Sequence, residues 1–528
     1  MRYYRGDDYD SDVAGENNLE ELKTMRKKLN WEIEGERYKF LREFISLSVG
    51  WYRSRPNLEE MFRPEEIDWI LMESVKSIND DHINNKQINF VPTFIEFVAN
   101  SHYKDKPDVD GNDKPSSRRT TALHCAVRLP GYSSLVKNLF KIYDRFDVNY
   151  TDELGLTHLH VACKYGCEEI VAKFLEFGHD PNCLEQKKAD SPLHYALRWG
   201  NKEVTELLLR HGADPISVNN DGLTPLHFLC LRKDDDDSAK IFFEINDANH
   251  QTVPLDVVDN LGRTPLHMAV ASLLPGTVDM LLNRGADMSS FVFPTEIESY
   301  FVEKYNSKGD LWSDLKLTLA CRALAVVDRL EKRGYQLDRS DALTIVKFFA
   351  KHEIFNKSAD LDYYLRCRQG FVVGLKELML TPSLSLHDLI FRSHPKEEEK
   401  LLTYSDYSKF ENSHEFRSNR EEFRQACTAR LCEIISRRFF RQWALEPLLE
   451  LTRHYHLPIL CCEIIIKKLK SEDLMRLCLA ADIDAVEDSQ ARDVRDEGNE
   501  LEELHNTFFE DCVKSLDGLM LQYFHRFE

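Results

Sequence analysis

No stretch of this 528-residue chain reaches the roughly 18 consecutive apolar residues of a membrane-spanning helix. The opening Met1–Asp12 has no positive segment followed by an apolar run, so no secretory leader is expected there. Basic charge is short too: 69 Lys and Arg face 90 Asp and Glu, a net charge of −21. Nucleic acid is held by Lys and Arg that neutralise phosphates, and anionic lipid by clustered basic side chains. Neither nucleic acid nor a membrane is therefore expected as a partner. Glycine is sparse, 21 residues in all, and no Walker loop, G-x-G-x-x-G or H-E-x-x-H is present. The chain reads as a protein that is not an enzyme and needs no cofactor. Its 13 cysteines, an odd number without a C-x-x-C pair, suit reduced thiols, which places the chain in the cytoplasm and is also compatible with the nucleus.

What the chain does have is a repeated quartet. Thr-Pro-Leu-His stands intact at Thr224–His227 and Thr264–His267, and nearly intact at Thr121–His124, Thr157–His160 and Ser191–His194. The five histidines follow one another at intervals of 36, 34, 33 and 40 residues. Each quartet opens a short helix: Ser191 suits an N-cap, Pro192 the first helical position, and Leu193 and Ala196 the inward face. Gly200 breaks that helix, and a second, Glu203–Arg210, carries Val204, Leu207 and Leu208 on one side before Gly212 ends it. Turn signals follow at Asn220-Asp221-Gly222, and the same grammar recurs from Asp152 to Gly155 and from Asn260 to Gly262.

This pattern resembles the ankyrin family, whose period is about 33 residues. The resemblance covers residues 120–289, about five repeats, and implies an all-α solenoid of helix-turn-helix units with short β-turn tips, flanked by helical N- and C-terminal domains. Repeat four is stretched by a polar insert around Asp234–Asp237. Residues 290–356 read as degenerate ankyrin-like helices, with Ala323, Val326, Val327 and Leu330 at helical spacing and no quartet. Towards the N-terminus, residues 1–17 are expected to be disordered and residues 18–103 to form a helical cap. Asn18–Val49 reads as a long charged helix, whole or broken, and Pro64-Glu65-Glu66 opens another. Residues 104–119, rich in Asp, Lys, Pro and Ser, read as a linker.

A second informative segment lies at Leu457-Pro458, followed by Ile459, Ile465, Leu469, Asp473 and Leu474. With Ser383–Leu389, Lys400–Leu402 and Phe439–Trp443 upstream, residues 380–481 resemble the PRANC family, an F-box-like helical domain of poxviral, insect and symbiont ankyrin proteins. The resemblance implies docking to the adaptor of a cullin-RING ubiquitin ligase through Leu457, Pro458, Ile459, Ile465, Leu469, Asp473 and Leu474, with the array holding a client protein. The competing reading is a scaffold or inhibitor that sequesters a partner without any link to ubiquitin. Residues 482–528 depart from the family pattern and read as an acidic linker and an amphipathic C-terminal helix through Leu504, Phe508, Cys512, Leu516, Leu519 and Tyr523.

Aligning the quartets sets Arg128, Lys164 and Arg198 at one equivalent position, with Tyr165 and Trp199 one residue on and Arg232 beside the break in repeat four. Such a basic ladder flanked by aromatics suits a client with an acidic segment. His158, His160, Cys163 and Cys167 have metal-like spacing, but His160 belongs to the quartet and Cys163 to an inward face, so no metal is expected.

Overall fold

The computed structural model describes residues 10–48, 57–79, 90–107, 116–129, 131–232, 235, 237–295, 297, 315–355, 369–382, 384–391, 402–452 and 457–490. They form two compact units, one running up to Met268 and including Met280–Asp287, the other made of Ala269–Asp279 and the residues from Met288 onward. The fold is mostly helical. Its only named strands among the described residues, Met379–Thr381 and Leu384–Ser385, pair antiparallel in a small hairpin.

In the first unit, four α-helices among the described residues precede the quartets. Asp10–Lys28 begins inside the stretch expected to be disordered. The charged helix read over Asn18–Val49, whole or broken, is broken into two, because the chain turns at Asn30–Ile33 before Glu34–Ser48 begins. Pro64 occupies the first turn of Pro64–Lys76, where Ile67, Ile70, Leu71 and Val75 are buried. Val91–Asn100 buries Phe94, Ile95, Phe97 and Val98. Phe40, Phe44, Phe62 and Phe94 share one aromatic core, with neighbouring ring centroids 5.1 to 5.8 Å apart.

These helices sit directly on repeat one: Pro64–Lys76 packs against Ala122–Ala126, and Val91–Asn100 against Ser133–Ile142. The stretch read as a linker is tied down at both described ends. Arg119 pairs with Asp68 on the Pro64–Lys76 helix and, at 2.8 Å, with Asp105, which also accepts the Tyr150 hydroxyl at 2.5 Å. Two carboxylates competing for one buried guanidinium leave Asp68 pushed up to about 6, chiefly by burial.

The repeats pair helices Ala122–Ala126 and Ser133–Ile142, His158–Lys164 and Glu168–Glu176, Pro192–Trp199 and Lys202–Arg210, Pro225–Cys230 and Ser238–Ala248, and Pro265–Ala271 and Pro275–Asn283. The quartet histidine explains their regular stacking. In repeat two, His160 Nδ1 accepts the Thr157 backbone N–H at 3.2 Å and lies 2.8 Å from the Thr157 hydroxyl. With Nδ1 an acceptor, the proton sits on Nε2, which donates to the Asp190 carbonyl of the next repeat at 3.1 Å. His124 does the same to Tyr150 and His227 to Arg263, each at 3.2 Å. One imidazole thus closes its own helix N-terminus and stitches it to its neighbour.

At the hairpin tips, Asp152, Asn219 and Asp259 each accept two backbone N–H groups through Oδ1, which fixes the turn. Gly155 and Gly222 have positive φ and face the next tip so closely that an added Cβ would lie 2.9 Å from Gln186 N and 2.7 Å from Asn260 N. Only glycine fits both demands.

In the second unit, Lys316–Lys332 packs on Tyr404–Glu411 and on the long helix Glu421–Trp443, and Arg339–Lys351 packs on Ser471–Gln490. The helices read as degenerate repeats therefore belong to the C-terminal core. Eleven of the 17 residues of Lys316–Lys332 are buried. Arg339 forks onto Glu450 at 2.6 and 2.7 Å, and Phe440 meets Phe349 and Phe355 at 5.3 and 5.6 Å. Ser471–Gln490 carries helix past residue 481 into the segment read as an acidic linker; the helix proposed through Leu504 and Leu519 lies outside the described residues. No helix among the described residues is long and apolar enough to cross a membrane.

Burial holds the quartet histidines neutral. His160 and His194 are pushed down to about 4, and His124 and the fully buried His158 are lowered as well. The unfolded chain binds these protons near pH 6.5 and the folded chain does not, so stability is intact above about 6.5 and is lost as pH falls from there towards 4. Asp68, Glu185 and Asp190, whose carboxyls burial raises, work in the opposite direction. The thermal midpoint of the first unit is therefore expected to fall steadily between pH 7 and pH 5 by circular dichroism; a flat profile would contradict the neutral-histidine account. His160→Ala, which strands the Thr157 N–H and the Asp190 carbonyl, is expected to cost about 2–4 kcal/mol in urea denaturation.

Candidate functional site: the repeat face and the C-terminal helix

The equivalent positions at the ends of the first helices do come together, but not as a free basic ladder. Arg128 and Arg198 are exposed, and Trp199 is 43% exposed. Lys164 folds back instead. Its Nζ donates to the Val127 carbonyl of repeat one and lies 4.2 Å from the Trp199 ring centroid, a cation–π contact. Burial, with Arg198 nearby, pushes this amine down to about 8.

Tyr165 was expected as a binding ring, yet its hydroxyl is within 2.6 Å of the Ala126 carbonyl and 2.5 Å of the Leu129 carbonyl, both in repeat one. The Ala126 carbonyl ends the first helix of repeat one and Leu129 lies in the turn after it, so Tyr165 ties down that helix exit from across the repeat boundary. Asn201 does this for repeat two, donating to the Cys163 and Lys164 carbonyls at 2.6 and 2.9 Å. Gly166 leaves room for it, since a Cβ there would lie 2.6 Å from Asn201 Oδ1. Arg232 corrects the expectation most plainly: it is only 7% exposed and lies against Gly200, where a Cβ would stand 2.6 Å from its Nη2. The alignment found the right positions and misjudged their use, because it could not see the preceding helix end waiting for donors.

A second set of surface residues was not singled out by the quartets. Leu154, Leu184, Ile216, Val218, Val258 and Leu261 are all exposed on the hairpin segments between helix pairs. Backbone bonds link successive tips, Gln186 N to Leu154 O at 2.6 Å, Asn220 N to Lys188 O at 2.7 Å and Asn260 N to Asp221 O at 3.1 Å. The result is a continuous row carrying aliphatic side chains to water. Aliphatics recurring beside the turn residues were the signal for it.

At the C-terminal end, Pro458 precedes Ile459–Lys468 as its N-cap, with Cys462 and Ile466 buried. Ile459 and Leu460 are 53% and 66% exposed, Pro458 is exposed, and Leu457, Ile465 and Leu469 are half-buried. Two of the expected docking residues turn inward or serve locally. Leu474 is fully buried, and half-buried Asp473 accepts the Lys470 N–H at 3.2 Å at the start of the next helix. Ser471 does not cap that helix; its backbone N–H donates to the Glu433 carboxylate at 2.9 and 3.0 Å and its hydroxyl to the Glu433 carbonyl at 3.1 Å. The positive end of Ser471–Gln490 is thus neutralised by a buried acid from the long Glu421–Trp443 helix.

The described residues hold no group of three or more His, Cys, Asp or Glu arranged for a metal ion. In the spacing that suggested one, both ring nitrogens of His160 are engaged, and Nε2 of His158 is 2.7 Å from the Thr121 hydroxyl. The eleven cysteines among the described residues are free thiols. Cys163 is fully buried and its thiol pushed well up by burial, the reverse of what a thiolate ligand needs.

If Tyr165 is a cap and not a client contact, Tyr165→Phe should lower the stability of the first unit by about 1–2 kcal/mol in urea denaturation. Unchanged stability would return Tyr165 to the binding surface.

Comparison with known families matches residues 123–219 to a model described as ankyrin repeats in three copies, and residues 261–290 to a single ankyrin repeat. The first match spans repeats one to three and the second repeat five; the repeat with the polar insert lies between them. No curated protein sequence matches the chain. The matched segments coincide with the helix pairs, the histidine stitching and the glycine-bearing tips described above, and the chain carries ankyrin repeats over these residues.

Proposed function

We propose that the chain is a client receptor: its ankyrin array holds a protein partner, and its C-terminal unit docks the adaptor of a cullin-RING ubiquitin ligase in the manner implied by the PRANC-like resemblance. Ankyrin arrays bind proteins, and that much of the reading follows from the repeats alone. For the client side, the exposed surface offers Arg128, Arg198 and Trp199 together with the aliphatic tips. Arginine forks suit carboxylates, so an acidic client segment with apolar neighbours fits this face.

The adaptor side rests on one observation. Ile459 and Leu460 stand largely in water at the start of a helix whose opposite side is buried. A helix that merely completed the C-terminal core would be expected to turn these side chains inward, since burying each aliphatic side chain is worth about 1.5–3 kcal/mol. The effective surface is then Leu457, Pro458, Ile459, Leu460 and Ile465, with Leu474 supporting it from inside. The chain's part is to position one protein beside another; we assign no catalytic group to it.

The alternative, a scaffold or inhibitor that sequesters its partner, draws on the array alone, whose exposed tips need nothing from the C-terminal unit.

The deciding experiment is affinity purification of the full chain beside an Ile459→Asp/Leu460→Asp variant, followed by mass spectrometry. Adaptor and cullin subunits should be recovered with the native chain and lost with the variant. Their absence from both preparations, with the protein folded, would overturn the ligase reading and leave the sequestering one. A companion variant, Arg128→Ser/Arg198→Ser, should weaken client capture about tenfold or more while leaving the circular dichroism spectrum unchanged; equal capture would remove the acidic-segment reading.

A further inference from the structure

The N-terminal helices carry a cluster of aromatic side chains that borders the core, where Trp31 meets Phe40 at 6.5 Å, and stays partly in water. Trp31, in the turn after Asp10–Lys28, and Trp69, on Pro64–Lys76, lie 5.6 Å apart between ring centroids at an interplanar angle of 75°. Tyr38, on Glu34–Ser48, meets Trp69 at 5.6 Å and 62°. The two indoles are half-buried, Tyr38 is 38% exposed, and neighbouring Ile33 is 47% exposed. Three rings set steeply to one another at a surface form a corner whose faces carry negative quadrupole potential.

The protein's own cations show what those faces accept. Arg26 lies 5.4 Å from the Trp31 centroid and is anchored there by a fork onto Glu66 at 2.7 and 2.8 Å. Arg37 lies 5.1 Å from the Trp69 centroid without such an anchor. Its Nε is buried and has no hydrogen-bond partner among the described residues. A guanidinium held by a ring face alone gives up little when another cation replaces it.

Charge around the corner points the same way. Glu32, Glu34 and Glu36 are exposed beside Trp31 and Arg37. Glu73 accepts the Tyr38 hydroxyl at 3.0 Å and pairs with Lys76 at 2.6 Å. The Tyr38 hydroxyl is pushed up by burial, then by Glu73, with Glu34 adding to it. An acidic collar around aromatic faces complements a basic occupant and repels an acidic one.

We propose that the corner formed by Trp31, Tyr38 and Trp69 is a docking site for an arginine- or lysine-bearing segment of a partner protein, whose cation takes the Trp69 face now covered by Arg37. The N-terminal unit is then a recognition module in its own right as well as the cap of the array. This site is independent of the client face and of the C-terminal helix, so it stands or falls apart from the ligase reading.

The test is calorimetric titration of the full chain with an octapeptide of alternating arginine and glycine, beside one of alternating glutamate and glycine. The arginine peptide should bind and the glutamate peptide should not. Trp69→Leu and Tyr38→Ala should each weaken binding about threefold to fivefold, the range of one exposed cation–π contact. Tyr38 is exposed enough that its variant keeps the test alive should Trp69→Leu fail to fold. Arg37→Ala should strengthen binding, whereas Arg42→Ala, which removes the same charge from an exposed position on the same helix, should change it less. Equal binding by the native chain and both ring variants would mean simple attraction to a chain of net charge −21 and would overturn the proposal. Preference for the glutamate peptide, or weaker arginine binding by Arg37→Ala, would overturn it equally, since Arg37 would then be an anchor for a carboxylate.

Discussion

The quartet imidazole carries the architecture of the array, bonding repeats one, two and four to the repeat that follows. Its Nδ1 takes a backbone N–H at the mouth of the first helix, which forces the proton onto Nε2 and aims that proton at a carbonyl in the next repeat. A helix of five to eight residues cannot sustain itself in water, so each first helix depends on its neighbours for both packing and hydrogen bonds. The histidine supplies the link at the entrance of the helix. At the exit, Tyr165 and Asn201 donate backward to the previous repeat, using space that positive-φ glycines such as Gly166 leave free. Repeats one and two are therefore bonded to the repeat that follows at both ends of their first helices.

That arrangement limits where a partner can bind. Side chains at the ends of the first helices are partly consumed by stitching, as Lys164, Tyr165 and Arg232 show, and what remains to water is Arg128, Arg198, Trp199 and the aliphatic tips. A surface whose frame is rigidly bonded can offer exposed aliphatics without collapsing around them. The N-terminal helices extend the same logic. They seal repeat one with a buried network of Arg119, Asp68 and Asp105, yet keep an aromatic corner outside it. The C-terminal unit has its own core, built on Lys316–Lys332 and Glu421–Trp443, and projects Ile459 and Leu460 away from it.

The helix pairs, the tip turns and the reduced thiols were legible because each depends on residues close in sequence. Thr157 and His160 are three apart, Asp152 reaches Leu154 and Leu156, and Gly155 marks its own positive φ. The misreadings share one cause, which is partners far along the chain. Arg232 read as a surface cation because Gly200 lies 32 residues earlier, and Tyr165 read as a binding ring because Ala126 lies 39 residues earlier. The helices after residue 315 read as worn repeats because their spacing is helical, while the elements that bury them lie some 90 residues further on.

By itself the sequence determined the repeating unit and the protein-binding class, since a histidine quartet with glycine-bearing turns encodes its hydrogen bonds within a few residues. Only the tertiary structure decided which charged and aromatic side chains are spent on holding repeats together and which are left for a partner. Helical periodicity says that a side chain leaves a helix on a given side, but whether an unsatisfied carbonyl or a neighbouring ring waits there depends on residues that the chain brings back across 30 or more positions.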